Sequence, residues 1–226
     1  MDELIHCVEE HERWTKQTSA PVLSYESLEP KSIPATEIKR QIKLVQVGLA
    51  FSSPAGSTDE RTSLQILSSM LSAGQSSVLR RKLILEGEFT DRLRTLVTYY
   101  KEAGMFLTSF AIKPNDTSKA LGALTETVRD LKKNAGEFKE NFERAKSHAV
   151  GSFSASIDRR MMWRTLVGAW ETLRRGHCSW DEWTSSLESL SFQQFKHNVI
   201  EIVRPERTAL VLAGNIKKGI TKTVRW

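Results

Sequence analysis

Residues 44–51 alternate between two sets of positions, and this period of two predicts a β-strand. One set is uniformly large and apolar and is expected to face the core; it comprises Val45, Val47, Leu49 and Phe51. Pro54 and Gly56 predict the end of the strand, because proline cannot donate a ladder hydrogen bond and glycine allows the backbone to turn sharply.

Leucines at helical spacing predict a helix directly after this strand. Ser57 and Glu60 have the spacing of a capping box at its start, and Gly74 is typical of the left-handed residue that ends a helix. Ser76 and Ser77 can then cap a second helix. The apolar stripes of the two helices comprise Leu64, Leu67, Leu71, Val78, Leu79 and Leu83. The segment therefore predicts a strand, a helix and a second helix in succession.

A hairpin is predicted in the middle of the chain. Residues 93–99 and 105–112 each alternate along a strand, and the residues from Lys101 to Gly104 between them are typical of a short turn. Two strands joined by so short a turn pair antiparallel. A last strand is predicted at residues 208–213, after Pro205 has ended the preceding helix.

Helices are predicted between the hairpin and the last strand. Three stripes at helical spacing run through residues 114–131, 138–153 and 162–173. Two shorter helices are predicted by capping boxes at Ser179–Glu182 and Ser191–Gln194. Strand, helices, hairpin, helices and strand in this order predict an α+β fold, in which an antiparallel sheet has its helices packed on one face.

Three segments are predicted along the chain. Residues 1–40 combine a short helix at 2–16 with a turn-rich linker that contains prolines. Residues 41–215 are expected to form the α+β domain. Residues 216–226 are expected to form a basic tail at the periphery.

The net charge of +6 and the pI near 9.4 suggest either a nucleic-acid partner or an acidic substrate. The basic residues are scattered as short pairs, such as Lys132–Lys133 and Arg174–Arg175, which is typical of a solvated surface. No basic strand rich in aromatic residues supports RNA recognition. We therefore expect no nucleic-acid partner.

No run of about 18 apolar residues is present, so no membrane span is expected. The acidic start of the sequence argues against a targeting segment, and we expect a soluble protein whose compartment the sequence leaves open. Cys7 and Cys178 are too few and too far apart in sequence to suggest a disulfide framework.

Two groups of residues have the types that bind metals, and neither has the required spacing. His6 and His11 are five residues apart. That separation turns them roughly 140° from each other around a helix, whereas a helical zinc pair needs positions i and i+4. His177 and Cys178 are adjacent, and no CxxC or HxxxH pattern accompanies them. The sequence predicts no metal ligands and no catalytic residues in this chain.

Five strings, in order and at matching spacing, resemble the insulinase/pitrilysin family of inverted-zincin metallopeptidases. They are VQVGLAFSSP, TDE followed by LQILSSMLSAGQSSVLRRKL, EAGMFLTSFAI, FERAKSHAVGSF and RPERTALVLAGNI, and they run from about Lys43 to Asn215. The similarity is to the second, zinc-less domain of these proteins, a half-domain like those of the mitochondrial processing peptidases. Residues 2–40 resemble the end of a preceding domain and the linker that follows it.

The resemblance implies a machine of two homologous halves that close around an extended peptide. One half carries HxxEH, whose histidines bind zinc and whose glutamate activates water. The other half closes the chamber and helps to hold the peptide. HxxEH occurs nowhere in this sequence, so the resemblance implies the non-catalytic half, with zinc in the partner or in a fused domain. The alternative is a peptidase-inactive subunit of the same fold that serves assembly.

Many members of the family place an arginine and, seven residues later, a tyrosine of the second half near the substrate. The best alignment puts Ile84 and Asp91 at these positions, and neither can donate to a peptide carbonyl as arginine and tyrosine do. Arg80, Arg81 and Tyr99 are the nearby side chains that can replace the pair. These three are the predicted substrate-binding residues.

Overall fold

The structure is a computed structural model that describes residues 35–54, 58–99, 103–157 and 180–224. Several predicted features lie outside these ranges. They are the helix at 2–16, the stripe at 162–173, the cap residues Ser57 and Ser179, and the candidate metal ligands His6, His11, His177 and Cys178.

Five described strands form one sheet in the order β1–β5–β2–β4–β3. Their bounds are β1 Thr36–Lys39, β2 Val45–Pro54, β3 Leu93–Tyr99, β4 Ala103–Ile112 and β5 Thr208–Gly214. β1 runs parallel to β5, and the other neighbouring strands of this sheet are antiparallel. The predicted strands β2 to β5 and the α+β class are confirmed, although β4 begins inside the predicted turn.

β2 is the central strand of the sheet, and every second side chain along it faces the core. It pairs with β4 on one side and with β5 on the other. Its core-facing side chains are at most 3% exposed, and they are Val45, Val47, Leu49 and Phe51. The rings of Phe51 and Phe106 lie 6.3 Å apart. Burial of each side chain of this size contributes about 1.5–3 kcal/mol, so this one strand anchors the hydrophobic core.

The described helices pack on the face of the sheet that carries these residues. Their bounds are α1 Thr58–Ser72, α2 Val78–Arg80, α3 Thr117–Lys133, α4 Lys139–Ile157, α5 Trp180–Ser189 and α6 Phe192–Ile202. α2 continues directly into a π-helical segment, Arg81–Glu86. The apolar stripes of the helices and the buried face of the sheet form one continuous core. The predicted packing of helices on one face is therefore confirmed.

The predicted cap residues differ in what they do. Ser191 and Gln194 form a complete capping box at α6: the Gln194 amide donates to Ser191 Oγ at 3.2 Å, and the Ser191 amide donates to Gln194 Oε1 at 3.1 Å. Ser77 is the N-cap residue of α2, but its hydroxyl donates to the Gly74 carbonyl at 2.9 Å and makes no capping hydrogen bond. Gly74 has a φ of 76°, the left-handed value expected where a helix stops.

Both ends of the domain differ from the prediction. β1 lies among residues predicted as a linker, because its four residues are too few to show a period. Its place in the sheet depends on pairing with β5, which is distant in sequence. The tail that was predicted to be peripheral begins with Ile216, which is 6% exposed and belongs to the core. Long-range contacts that no local pattern encodes account for both corrections.

Glu37 of β1 holds the C-terminal tail against the sheet. Its carboxylate accepts hydrogen bonds from the Gly219 amide at 2.8 Å, from the Thr221 amide at 2.9 Å and from the Thr221 hydroxyl at 2.8 Å. These donors, the Thr221 amide first, hold the pKa of Glu37 below its ordinary value.

Glu37→Gln should lower the free energy of unfolding by about 1 kcal/mol at neutral pH, because charge-assisted hydrogen bonds are lost at a site that water partly screens. The folded pKa is depressed, so the stabilisation is present above the ordinary pKa of 4.5 and disappears as the pH falls through the folded value. Urea unfolding at neutral pH and in acid measures both effects. Glu188→Gln, at an exposed glutamate of α5, is the matched control. An equal loss in the two variants contradicts this role of Glu37.

Candidate binding cleft at the open face of the sheet

The sheet has a second face that the described helices leave uncovered, and we call it the open face. It follows from the period of two, since β4 alternates strictly between buried and half-buried residues from Ala103 to Ile112. On the open face, Leu96 and Val211 are 38% and 37% exposed, and Leu44, which directly precedes β2, is 41% exposed. These exposed apolar side chains make the open face a candidate contact surface.

A row of apolar residues crosses the open face. Leu96 pairs with Leu107, Leu107 pairs with Ala50, and Ala50 pairs with Ala209. Strands lie about 4.8 Å apart, so the row is about 14 Å wide. The two alanines leave the backbone of β2 and β5 close to the surface. The middle of the open face is therefore apolar.

A cleft of about 480 Å³ lies at the end of the open face where β3 begins. Part of its lining comes from neighbouring positions on β2, β3 and β4, and the rest comes from α2 and from the loop that precedes β3. The lining residues are Gln46, Arg80, Asp91, Arg92, Leu93, Arg94, Ser109, Phe110 and Ala111.

The cleft is cationic, because three arginines against one aspartate leave its lining with a net charge of +2. Arg92 lies 3.9 Å from Asp91, but both side chains are strongly exposed and such a pair contributes little. Arg80 donates to Gln75 Oε1 at 3.4 Å, which is a long hydrogen bond to a neutral amide. Arg94 is exposed on β3. The charge of the cleft is therefore poorly neutralised by the described residues.

The structure separates the three side chains that the sequence predicted to bind substrate. Arg80 lines the cleft. Arg81 is exposed and forms an ion pair with Glu86 at 3.0 Å. Tyr99 is at the far end of β3, about 20 Å from Leu93 along the strand, and packs on the helix-covered side. Of the three, the geometry favours Arg80.

Tyr99 is engaged in contacts within the domain. Its hydroxyl donates to the Arg61 carbonyl oxygen at 2.8 Å, and the Arg61 guanidinium lies 5.2 Å from the centroid of the ring. Burial raises the pKa of Tyr99 above its ordinary value, and the opposing effect of the Arg61 charge is smaller. The side chain therefore ties β3 to α1.

Sequence reasoning missed Arg92 and Arg94 as parts of the cleft. The alternation of β3 places Arg94 on the face opposite to that of Thr95. The Thr95 hydroxyl lies 2.7 Å from the Ser68 hydroxyl of α1, on the helix-covered side, so Arg94 belongs to the open face. Arg92 precedes the strand, where no period assigns a face. Asp91, which the family resemblance aligns with a tyrosine, also lines the cleft.

A tight turn after the π-helical segment sets the position of the loop that borders the cleft. A Cβ on Gly87 would clash with the Phe89 ring and would lie 2.7 Å from the Lys82 carbonyl oxygen. Glu88 follows with a φ of 49°, in the left-handed region that few non-glycine residues adopt. The Phe89 amide donates to the Leu83 carbonyl at 3.0 Å and closes the turn. The absence of a side chain at Gly87 is thus required for the chain to fold back here.

The described ranges contain no group of three or more histidine, cysteine, aspartate or glutamate side chains placed to hold a metal ion. Within the same ranges, no helix combines the length and the apolar character that crossing a membrane requires.

A sequence profile of the family described as peptidase M16 inactive domain matches residues 2–148. This match covers more than half of the chain and supports the resemblance of its strings to the zinc-less insulinase-type domain. No protein with a curated description matches the sequence.

Solved structures share the fold at low sequence identity. A protease from Helicobacter pylori has a TM-score of 0.78 at 16% identity, over 94% of this chain and 52% of that chain. An M16-like peptidase from Alicyclobacillus acidocaldarius has a TM-score of 0.77 at 15% identity, over 94% and 51%. A peptidase M16 inactive domain from Pseudomonas fluorescens has a TM-score of 0.66 at 15% identity, over 82% and 44%. The chain spans about half the length of these structures.

Gly87→Ala should destabilise the protein by about 1–3 kcal/mol, because the added methyl group overpacks against a ring and a carbonyl. Gly122 of α3 is the matched control, since nothing lies within 4 Å of a Cβ added there. Gly122→Ala should instead stabilise by about 0.5–1 kcal/mol, because alanine is the better helix former. Chemical denaturation of both variants measures the two changes, and a neutral or stabilising Gly87→Ala contradicts the tight turn.

Proposed function

The chain belongs to the family of peptidase M16 inactive domains, and on this premise we propose that it is the non-catalytic half of an insulinase/pitrilysin-type zinc metalloendopeptidase. In this role it closes a peptide-binding chamber with an HxxEH-bearing half, which is either a partner subunit or a fused domain. The observation that carries the proposal is the open face of the sheet.

The open face has the chemistry of a surface that faces another body. Leaving apolar area in water costs about 25 cal/mol per Å², so covering Leu44, Leu96 and Val211 is favourable. An apolar row also suits an extended peptide, whose alternate side chains can lie on it. β3 is an edge strand of the described sheet, and backbone groups on such an edge can pair with a peptide strand.

The lengths of the similar structures support a protein of two parts. The structural matches include 94% of this chain, but only 52% of the Helicobacter chain and 51% of the Alicyclobacillus chain. The remaining half of each of those chains is about as long as the matched half, and this is the size that we expect for the proposed catalytic half.

The residues of this chain do not fit a zinc site of the inverted-zincin type. HxxEH is absent from the whole sequence, and the described residues form no cluster with three ligands. In the proposal, zinc and the activation of water belong to the other half, whereas this chain binds and positions the peptide. Arg80 is the predicted substrate-binding residue that we assign to peptide contact, because it lines the cleft.

Reconstitution with an HxxEH-bearing homologue from the same genome tests the proposal. The purified chain alone should not cleave an unfolded peptide, and the mixture should cleave it until a chelator is added. Leu96→Lys should weaken binding of the peptide about tenfold or more, because the substitution places a charge in an apolar contact. Calorimetric titration measures the affinity, and a quenched fluorescent peptide measures the cleavage.

Leu85→Lys is the matched control. Leu85 is 51% exposed in the π-helical segment and does not belong to a strand of the sheet, so its replacement should leave peptide binding unchanged. Chelator-sensitive cleavage by this chain alone contradicts the proposal, and so does an equal effect of the two lysine variants. A stable complex with no peptidase activity favours the alternative, an assembly subunit of the same fold.

A further inference from the structure

We propose that the cleft at the start of β3 recognises carboxylate groups and that it selects peptides carrying acidic residues. This inference rests on the proposed peptide-binding role and adds the class of substrate to it. Its basis is a cavity of about 480 Å³ whose lining has a net charge of +2, three arginines against one aspartate.

Cations next to the cleft are neutralised within the domain, whereas those of the cleft are not. Lys82 forms ion pairs with Glu126 at 3.1 Å and with Asp130 at 3.6 Å, both on α3. In the described part of the chain, the lining of the cleft contains three guanidinium groups and one carboxylate, that of Asp91. This carboxylate lies 3.9 Å from Arg92, and both side chains are strongly exposed to solvent. A carboxylate from a ligand would therefore neutralise part of the remaining positive charge of the cleft.

The lining also has the hydrogen-bonding groups that a carboxylate needs. A guanidinium is planar and can donate two parallel hydrogen bonds to the two oxygens of one carboxylate. Arg94 pairs across the strands with Ser109, so a hydroxyl donor lies beside a guanidinium, and the Gln46 amide lines the same cavity. An acidic side chain or a C-terminal carboxylate of a peptide suits the charge of the cleft.

A peptide fits this cleft better than a nucleic acid, which is the other common anionic partner. Phe110 is the aromatic residue of the lining, and it is 4% exposed because it packs into the core. No ring of the lining is thus available to stack on a base, as the aromatic side chains of proteins that bind single strands commonly do. The cleft is also continuous with the open face, where the apolar row of Leu96, Leu107, Ala50 and Ala209 can hold the uncharged part of an extended peptide.

Binding of labelled peptides to the full chain, measured by fluorescence anisotropy, tests the inference. Peptides of one length carry either glutamates or glutamines at the same positions, and each is made with a free and with an amidated C-terminus. The glutamate peptide should bind about fivefold to tenfold more tightly, and added salt should reduce the difference. A loss on replacing glutamate identifies side-chain carboxylates as the ligand, and a loss on amidation identifies the terminal one.

Substitutions in the cleft connect the preference to its arginines. The double variant Arg80→Gln with Arg94→Gln should bind both peptides equally, at the affinity of the neutral peptide. Arg129→Gln, at an exposed arginine of α3, is the matched control and should keep the preference. Circular dichroism and the thermal midpoint verify folding, and the single variant Arg94→Gln, at an exposed strand position, gives a second reading if the double variant unfolds.

Three results separate the inference from the proposed function. Equal affinity for all four peptides, or a preference that survives in the double variant, overturns carboxylate recognition even if the reconstituted peptidase is active. Tighter arginine-dependent binding of an oligonucleotide than of the acidic peptide overturns it as well. If the unmodified full chain binds none of the peptides and the reconstituted mixture cleaves none of them, the proposed function is overturned together with the inference.

Discussion

Burial of one face of the sheet is the constraint on which the rest of this structure depends. β2 is paired on both sides and places Val45, Val47, Leu49 and Phe51 under the helices. Because side chains alternate along a strand, the same burial turns Gln46 and Ala50 toward the opposite face. The apolar row and the cleft are therefore consequences of how the core forms. A slip of one residue in β2 would exchange the two faces and lose both the core and the candidate site.

Local patterns were sufficient for the elements that carry their own signal. β2 to β5 each show a period of two, and Ser191 and Gln194 begin α6 with a capping box that the structure contains in full. β1 has four residues, and its position is decided by β5, so nothing within its own sequence predicts it. The turn at Gly87 is similar in kind. A glycine indicates that a close approach is possible, but not that the Phe89 ring is the group that approaches.

The alternation of β3 decides which of its side chains belong to the candidate site. Tyr99 is an even number of residues from Val97 and Thr95, so it shares their helix-covered face, and its hydroxyl bonds to α1. Arg94 is an odd number away and lines the cleft. The prediction of Tyr99 rested on its chemistry and on its nearness in sequence to the aligned positions. Alternation, applied to the same strand, favours Arg94 without any structure, whereas Arg92 and Asp91 lie before the strand and needed the fold.

The cleft places arginines close in sequence to the position at which the family resemblance expects an arginine. Ile84 occupies the aligned position, Arg80 precedes it by four residues, which is about one helical turn, and Arg94 approaches from the strand. An arginine and a tyrosine that contact peptide carbonyls are indifferent to the side chains of the peptide, whereas a cluster of arginines discriminates by charge. If the cleft binds carboxylates as proposed, the loss of the pair does not mean that peptide contact is lost. It changes the recognised feature from the backbone, which every extended peptide has, to acidic groups that only some peptides carry.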